Sequence, residues 1–343
     1  MLAMPSARNS MVSIGLDVHQ QVVQVCMMDA NGQVLSNRRV DNDVPAILAA
    51  GRARGAVGGV ALECSTGTAA LADALIQATG WDVQLCHPGY VRRLRQNPDK
   101  TDWSDARLLA DLVRVGYLPR VWLAPPAVRD LRAVVRYRQQ VVDRLRNTKL
   151  RIRALLREHR VSDVPRTLWT RRGLAWLAQL PSLPTFAGWV LRQHLAELAS
   201  DVALLGRVAV QLREALAQDA LVAALLEQPG IGLVTACVLR AEIGSFRRFQ
   251  TGKQLARFCG VSPCNASSGA RQADAGLIRG CSRLLRDTLM EAAHRLARCD
   301  PRWRAMKAQL RARGKAGSLI AAAIANRWTR GLFHTLVARE AAA

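Results

Sequence analysis

The sequence predicts an α/β domain followed by two helical domains. Alternating apolar residues with a tight turn occupy residues 11–40, strands and helices alternate to about residue 86, and helical periodicity prevails beyond Pro125 and Pro126. The predicted fold class is therefore α/β plus α. The predicted domain boundaries are 11–125, 126–225 and 226–343.

The first domain begins with strands. The runs VSIGLDV and VVQVCMM precede the turn Asp29–Gly32 and the run QVLSNRRV, and an Asn-Gly pair between alternating runs predicts a β-hairpin. Antiparallel strands followed by β-α-β alternation is the element order of the ribonuclease-H-like (RuvC-like) fold, although periodicity alone supports only an α/β class. The elements predicted next are a helix from Val44 to Arg54, the strand GGVALE, the helix ALADALIQA, the strand WDVQLCH and, with Thr101 as its N-cap, the helix DWSDARLLADLVRVGY.

Two long helices are predicted in the second domain. Apolar residues line one helical face from Leu131 to Leu155, and those from Leu191 to Leu216 step by alternating fours and threes. A connector broken by prolines separates the two segments. The pattern predicts an antiparallel coiled coil that serves dimerisation, and a helical bundle packed on itself is the alternative.

The third domain is predicted to be helical and to open with a helix-hairpin-helix-like element. The segment LLEQPGIGLVTACVLRAEIG reads as a helix, a glycine-rich turn and a second helix. Backbone N–H groups at Gly230 and Gly232 would then face a DNA phosphate at the start of a helix. The same turn could also do no more than join two helices.

The charge of the chain predicts a polyanionic partner. The 343 residues include 49 Lys and Arg against 26 Asp and Glu, a formal net charge of +23, and half of the residues are hydrophobic. This composition excludes a disordered basic tail and indicates a folded protein that binds nucleic acid. The first sixty residues hold five basic and four acidic residues, whereas residues 131–160 hold ten basic and two acidic ones.

Cysteine spacing and hydropathy predict a cytoplasmic protein without a membrane segment. The eight cysteines form no C-x-x-C pair, so they read as buried apolar residues in a reducing compartment rather than as zinc ligands. The run MLAMPSARNS lacks the apolar stretch of a signal peptide. Pro181 and Pro184 interrupt the longest uncharged stretch, 173–191, as a helix.

Four acidic residues are candidate metal ligands. Asp17 and Glu63 end predicted strands, and Asp102 and Asp105, three residues apart, share one face of a predicted helix. Carboxylates arranged in this way suit Mg²⁺ or Mn²⁺ in a phosphoryl-transfer site. Each of them taken singly could equally be a helix cap, a turn residue or a surface acid.

These motifs together resemble a family of bacterial insertion-sequence transposases. This DEDD family joins a RuvC-like domain to a carboxy-terminal transposase domain with a serine nucleophile, and the pilin-gene invertases are its relatives. The resemblance covers essentially the whole chain. It is carried by IGLDVH at 14–19, ECSTG at 63–67, KTDWSDA at 100–106, QPGIG at 228–232, GVSP at 260–263 and Ser267-Ser268-Gly269.

The resemblance implies a composite active site. Asp17, Glu63, Asp102 and Asp105 match the acidic residues that bind Mg²⁺, although Glu63 stands four residues before Gly67 instead of the usual three. Ser268 matches the serine that attacks DNA to give a phosphoserine intermediate, with Ser267 as the other candidate. In the family this site is assembled across protomers of a tetramer, so a homo-oligomer, dimer or tetramer, is expected.

Basic residues outside the acidic site are candidate nucleic-acid ligands. Either they bind nucleic acid or they form a solvated helix face, but a net charge of +8 in thirty residues would repel itself without a polyanion. The resemblance also implies a structured guide RNA that pairs with donor and target DNA. The candidates are Arg132, Arg136, Arg138, Arg144, Arg146, Arg151, Arg153, Arg157 and Arg160 of the first long helix, and Arg271, Arg279 and Arg283 near Ser268.

The sequence thus predicts an enzyme that cleaves and rejoins DNA at specific sites. One alternative is a metal-only, junction-resolving nuclease in which water attacks and the serine is structural. A second alternative is a nucleic-acid-binding protein without catalytic activity, against which the presence of all four acids argues.

Overall fold

The computed structural model describes residues 11–94, 101–266 and 274–342. The chain forms two compact units, 1–124 and 125–343. The first is a mixed α/β unit and the second is mostly helical, which confirms the predicted class. The predicted division of the second unit into domains 126–225 and 226–343 stays a prediction.

A six-stranded mixed sheet with the order β3-β2-β1-β4-β5-β6 is the centre of the first unit. The first three strands form an antiparallel meander, β4 and β5 continue it in parallel from β1, and β6 pairs antiparallel with β5. The hairpin predicted at the Asn-Gly turn is present. The strands are β1 (Met11–Val18), β2 (Val22–Met28), β3 (Val34–Asp41), β4 (Ala56–Glu63), β5 (Val83–Cys86) and β6 (Arg120–Val121).

Helices cover both faces of this sheet. Ile14 and Leu16 of β1 are fully buried in a cluster with Ile47 and Leu75, which belong to helices on one face. On the opposite face, Met28 packs with Ala106 and other residues of the fourth helix. The helices of this unit are α1 (Val44–Arg52), α2 (Thr68–Thr79), α3 (Pro88–Leu94) and α4 (Asp102–Arg114).

Helix α4 ends three residues earlier than the sequence predicts. The predicted helix ran to Tyr117, but the helix stops at Arg114, and Gly116 takes a left-handed backbone with φ of +69°. Glycine adopts this conformation at low cost, so the chain leaves the helix there.

Two long helices open the second unit and pack along each other in antiparallel directions. Arg144 of the first forms an ion pair with Asp201 of the second, and Val135 shares a buried cluster with Val208 further along the second helix. A separate apolar cluster around Ile152, Leu168 and Leu198 lies near their other ends. These helices are α5 (Pro126–Glu158) and α7 (Thr185–Ala215), and the shorter α6 (Arg171–Ala178) lies between them in sequence.

The remaining helices pack around one large apolar core. That core contains Phe246, Leu289 and Leu336 and extends to Val135 of α5. A two-stranded antiparallel sheet corrects the expectation of a purely helical region, because Pro263 pairs with Leu277 across the intervening chain. The elements are α8 (Ala220–Leu226), α9 (Leu233–Ile243), α10 (Gly252–Phe258), β7 (Pro263–Asn265), β8 (Asp274–Leu277), α11 (Arg283–Cys299), α12 (Pro301–Ala312) and α13 (Gly317–Ala342). Within the described ranges, no helix has the length and apolar character needed to cross a membrane.

Candidate functional site

Asp17 and Glu63 lie at the same edge of the sheet. Strands β1 and β4 are parallel, and Leu16 is in register with Leu62. Asp17 and Glu63 are therefore the next residues on two neighbouring strands. Residues that are in register on neighbouring strands point to the same face of the sheet.

Gly15 allows helix α4 to approach this edge. A Cβ atom on Gly15 would lie 2.0 Å from the carbonyl oxygen of Ala106 and 2.4 Å from the backbone nitrogen of Ala110. The backbone of α4 thus occupies the space that a side chain at position 15 would need. Because side chains alternate along a strand, Asp17 points to the same face as Gly15 and towards the start of α4.

The first turn of α4 carries two acidic residues. Thr101 caps the helix, since its Oγ1 accepts a hydrogen bond from the Ser104 backbone N–H, and the Ser104 hydroxyl oxygen accepts one from the Thr101 N–H. The Asp102 side chain is 44% exposed, whereas Asp105 is buried. Carboxylates at this end of a helix are stabilised by the helix dipole. The capping box therefore fixes where helix α4 begins, and with it the positions of both carboxylates.

Asp17, His19 and Asp102 form one cluster of possible metal ligands. The His19 Nε2 atom lies 3.2 Å from Asp17 Oδ2 and 3.2 Å from Asp102 Oδ1. One ligand atom of each of the three residues lies within 4.8 Å of the others. The sequence predicts Asp17 and Asp102 together, and the structure places them around one histidine ring.

The surroundings of Asp17 disfavour a bare negative charge. Burial raises the pKa of Asp17, the neighbouring His19 lowers it, and the carboxylates of Asp105 and Asp102 raise it further by smaller amounts. A group with a raised pKa for this reason gains from a bound cation, which supplies the missing positive charge. Asp105 acts on Asp17 through this charge interaction, although it is outside the three-residue cluster.

His19 is a site residue that sequence reasoning missed. It stands two positions after Asp17 at the end of β1. A spacing of two residues at a strand end places both side chains on one face. The Asp-x-His spacing within IGLDVH was the signal that could have identified it.

Glu63 is placed beside the cluster but not within it. It is not one of the three residues whose ligand atoms meet. Burial, followed by the Glu63 carboxylate, raises the pKa of the Cys86 thiol on the adjoining strand to about 12. The assignment of Glu63 as a metal ligand stays a prediction.

The donor set fits a divalent cation. Two carboxylates and an imidazole converge at one point, and a further buried carboxylate stands behind them. Carboxylate oxygens suit Mg²⁺ and Mn²⁺, and an imidazole nitrogen is better tolerated by Mn²⁺ and later transition metals. Asp17, Asp102 and His19 are the residues that could hold the ion directly.

The predicted nucleophiles lie outside the described residues. Ser267, Ser268 and Arg271 all fall between 266 and 274. Arg279 is exposed after β8, and Arg283 is exposed at the start of α11, where it lies 3.5 Å from Asp287. Their roles stay predictions.

The arginines of α5 are not equivalent. Arg136 donates to both carboxylate oxygens of the buried Glu242 at 2.9 and 3.2 Å, and Arg144 lies 2.7 Å from Asp201. Arg132 donates to a backbone carbonyl on α9. The matching acids come from other helices, which corrects the expectation that this positive charge has no internal partner.

The other candidate arginines of this region differ in exposure. Arg146 pairs with Asp143 on its own helix, and Arg138 is half-buried. The exposed ones are Arg151, Arg153, Arg157 and Arg160.

The glycine-rich turn joins α8 and α9 as the sequence predicts. Gly230 has φ of +75° and its carbonyl accepts a hydrogen bond from Arg295 Nε at 3.0 Å. Gly232 is the N-cap of α9 and offers no side chain to its first N–H groups. Helix starts that lack a side-chain cap can bind an external acceptor such as a phosphate. Phosphate binding by Gly230 and Gly232 stays a prediction.

Comparison with known proteins identifies the family in which these features occur. A model of DEDD transposases of the IS110 type matches residues 14–161, and a model described as "Transposase IS116/IS110/IS902 family" matches residues 222–308. The two models occur in tandem and together cover more than half of the chain.

The chain belongs to the IS110 family of transposases. It is thus an enzyme of DNA transposition, and family membership implies DNA binding and the use of a divalent metal ion. The first match includes Asp17, Glu63, Asp102 and Asp105.

Transposases of several bacteria are similar to this IS110-family chain. A probable family 20 transposase of Pseudomonas aeruginosa is 27% identical over 95% of this chain and 97% of its own length. The transposase for insertion sequence element IS1111A of Coxiella burnetii is 25% identical over 83% of this chain and 78% of its own length. The putative transposase y4qE of Sinorhizobium fredii is 28% identical over 64% of this chain, which spans 54% of that protein.

Proposed function

We propose that this transposase cleaves and rejoins DNA through a phosphoserine intermediate at a site completed by a divalent metal. The observation that carries the proposal is the convergence of Asp17 and Asp102 at the end of β1 and the start of α4. We assign Asp17, Asp102 and His19 as direct ligands of Mg²⁺ or Mn²⁺. Asp105 and Glu63 complete the acidic set.

We also assign the first unit to the ribonuclease-H-like fold, and this assignment supports the proposed metal site. The strand order β3-β2-β1-β4-β5, antiparallel through β1 and parallel thereafter, is the order expected for that fold. In it, acids at the central strand, the adjacent strand and a following helix serve one site. Asp17, Glu63 and Asp102 occupy those three kinds of position.

The chemistry divides between the acids and a serine. The oxygen of Ser268, or of Ser267, forms a bond to the DNA phosphorus while one phosphorus–oxygen ester bond to the sugar breaks and the released DNA hydroxyl takes up a proton. A hydroxyl of another strand then displaces the serine and restores a phosphodiester. The metal ion, when bound, stabilises the charge that develops on the phosphate oxygens.

The proposed partners are donor DNA, target DNA and a guide RNA. Exposed arginines on α5 and the open start of α9 support a surface that binds phosphate backbones. We also propose that α5 and α7 act as an antiparallel coiled coil that joins protomers into a dimer or tetramer. Sequencing of the RNA that remains bound after purification under nuclease-free conditions tests the guide-RNA proposal, and one structured RNA species is expected.

Trapping of a protein–DNA adduct tests the serine mechanism. A substrate duplex with a phosphorothiolate at the cleavage site should leave DNA attached to the protein, and Ser268→Ala should remove the adduct. Ser267→Ala tests the other candidate, because loss of the adduct in that variant alone would identify Ser267 as the nucleophile. Recombination that persists in the double Ser267→Ala, Ser268→Ala variant contradicts the serine mechanism and favours the metal-only nuclease.

The acidic site has its own test. Asp102→Ala should abolish cleavage while DNA binding persists, because Asp102 is exposed and lies at a helix start that Thr101 caps independently. Asp111→Ala, on the same helix but outside the cluster, is the control. Full cleavage by Asp102→Ala would remove the metal proposal, and no measurable effect of Asp17→Ala would favour a binding protein without catalysis.

A further inference from the structure

A small basic cleft lies where α5 ends and the chain turns towards α6. Its volume is about 390 Å³. Arg153 and Arg157 from the last turns of α5 and Arg166 from the following loop line it. The remaining lining residues are apolar: Leu156, Val161, Val164, Pro165 and Leu168.

Helix-end geometry builds this cleft. Arg160 takes a left-handed backbone with φ of 48°, and the Val161 N–H donates to the carbonyl of Leu156 at 3.0 Å. This is the hydrogen-bond pattern of a Schellman turn, which folds the residue after the left-handed position back over the last helical turn. Val161 and Leu156 thereby form one apolar wall beside the guanidinium of Arg157.

Within the described residues, the three arginines of this cleft form no ion pair. In the parts of the chain that the structure describes, no carboxylate lies within 4.0 Å of the guanidinium groups of Arg153, Arg157 or Arg166, in contrast to Arg136 and Arg144. Arg157 donates to the carbonyl of Arg153 at 3.3 Å. Three close cations without an anion raise each other's energy, so the cleft favours an anionic occupant.

Trp169 orients one of these cations. The guanidinium carbon of Arg153 lies 5.8 Å from the centre of its ring, and the Lys149 amine lies 5.4 Å from it. Such cation–π contacts hold a long side chain in place without neutralising its charge. Arg153 is thus oriented before any ligand binds.

We propose that this cleft binds an unpaired nucleotide of a nucleic-acid strand, with its phosphates on the three arginines and its base against the apolar wall. A cavity of this size matches a small-molecule pocket and excludes a duplex. Proteins hold single strands through a basic surface that contacts the phosphates and through side chains, mostly aromatic residues or arginine, that contact the faces of the bases. The inference rests on the proposed nucleic-acid binding but not on the serine or metal chemistry.

Fluorescence anisotropy with labelled dT12, rU12 and a 12-base-pair duplex tests the site on the full-length protein. The variant is Arg157→Gln with Arg166→Gln. The control is Arg207→Gln with Arg213→Gln, which removes the same charge from exposed positions of α7. Arg207 is more than twenty residues from the first residue of α7, which corresponds to a distance of roughly 33 Å along the helix axis.

We expect the variant to lose affinity for a single strand. Two phosphate contacts at 0.1 M salt correspond to roughly a 25-fold loss, and the slope of log K against log salt should fall by about 1.4. Equal losses with dT12 and rU12 indicate recognition of phosphate and base alone, whereas a loss confined to one of them identifies that strand as the partner. Duplex affinity should change less than about threefold, since other basic surfaces bind duplex.

Three results would overturn the proposal: an unchanged single-strand affinity, an equal loss with the control variant, or an equal loss on the duplex. Photocrosslinking gives an independent readout on the unmutated protein. A 5-iodouracil-substituted rU12 should attach to the peptide that contains residues 161–169, and attachment solely elsewhere contradicts the site. Adduct formation on duplex DNA reports the serine chemistry separately, so failure of one proposal is distinguishable from failure of the other.

Discussion

Replacing Gly15 with alanine should separate the carboxylates of the acidic site. The added Cβ would lie 2.0 Å from the Ala106 carbonyl oxygen and 2.4 Å from the Ala110 nitrogen, while real Cβ atoms essentially never come within 3.0 Å of such atoms. Both obstacles are backbone, so no side chain can move aside. Helix α4 must therefore shift by at least about 1 Å away from β1, and it carries Asp102 and Asp105 with it.

Two consequences follow from that shift. Overpacking of this kind costs about 1–3 kcal/mol, and each kcal/mol lowers the Tm of a unit of this size by roughly 4 °C. The 3.2 Å contacts that join Asp17, His19 and Asp102 lengthen as well. A misplacement of about 1 Å at a reacting centre lowers catalysis by roughly 100-fold.

Titration with Mn²⁺, followed by the loss of the free-ion EPR signal, measures the site directly. Gly15→Ala should bind Mn²⁺ at least tenfold more weakly than the unmodified protein. Gly59→Ala is the matched control on the neighbouring strand, because its Cβ would lie 3.1 Å from Val113 Cγ2, a contact that a displacement of a few tenths of an ångström relieves. If Gly15→Ala keeps both its Tm and its Mn²⁺ affinity, then Gly15 is not what sets the distance between β1 and α4.

Three further predictions use the same contacts. Burial raises the pKa of Asp17, so metal-free Asp17→Asn should have a higher Tm than the unmodified protein at pH 8. This difference in Tm should disappear as the pH falls and Asp17 becomes protonated. A difference that stays unchanged from pH 8 to pH 4 contradicts the raised pKa. Arg136→Gln removes the guanidinium that pairs with the buried Glu242 carboxylate and should lower the free energy of unfolding in urea by about 2 kcal/mol. Arg146→Gln removes an exposed ion pair and should lower it by less than about 0.5 kcal/mol. Similar losses in the two variants would contradict the difference between the buried and the exposed pair. The exposed Cys299 should react at once with a thiol reagent at pH 8. Burial raises the pKa of the thiols of Cys26, Cys86 and Cys237 to about 11 or 12, so these should react only after denaturation. Mass spectrometry of the labelled peptides measures which cysteines have reacted.

Local signals in the sequence determined the elements that carry the site. The Asn-Gly turn predicted the hairpin of β2 and β3, and Thr101 predicted the start of α4, because turns and caps depend on neighbouring residues. Motif spacing led to the transposase family, which the two matching family models confirm. The assignments of Ser267 and Ser268 stay predictions, since both lie outside the described residues.

Only the tertiary structure decided which distant residues meet. The role of Gly15 depends on the backbone of Ala106, ninety-one positions later, and the pairing of Arg136 depends on Glu242 in another helix. His19 joins the acidic cluster because β1 and the start of α4 come together at one edge. Periodicity describes which face of an element is apolar, but it carries no information about which polar group on another element lies opposite. Charge counted along α5 therefore overstated its free positive charge, while Arg151, Arg153 and Arg157 remain exposed towards the end of that helix.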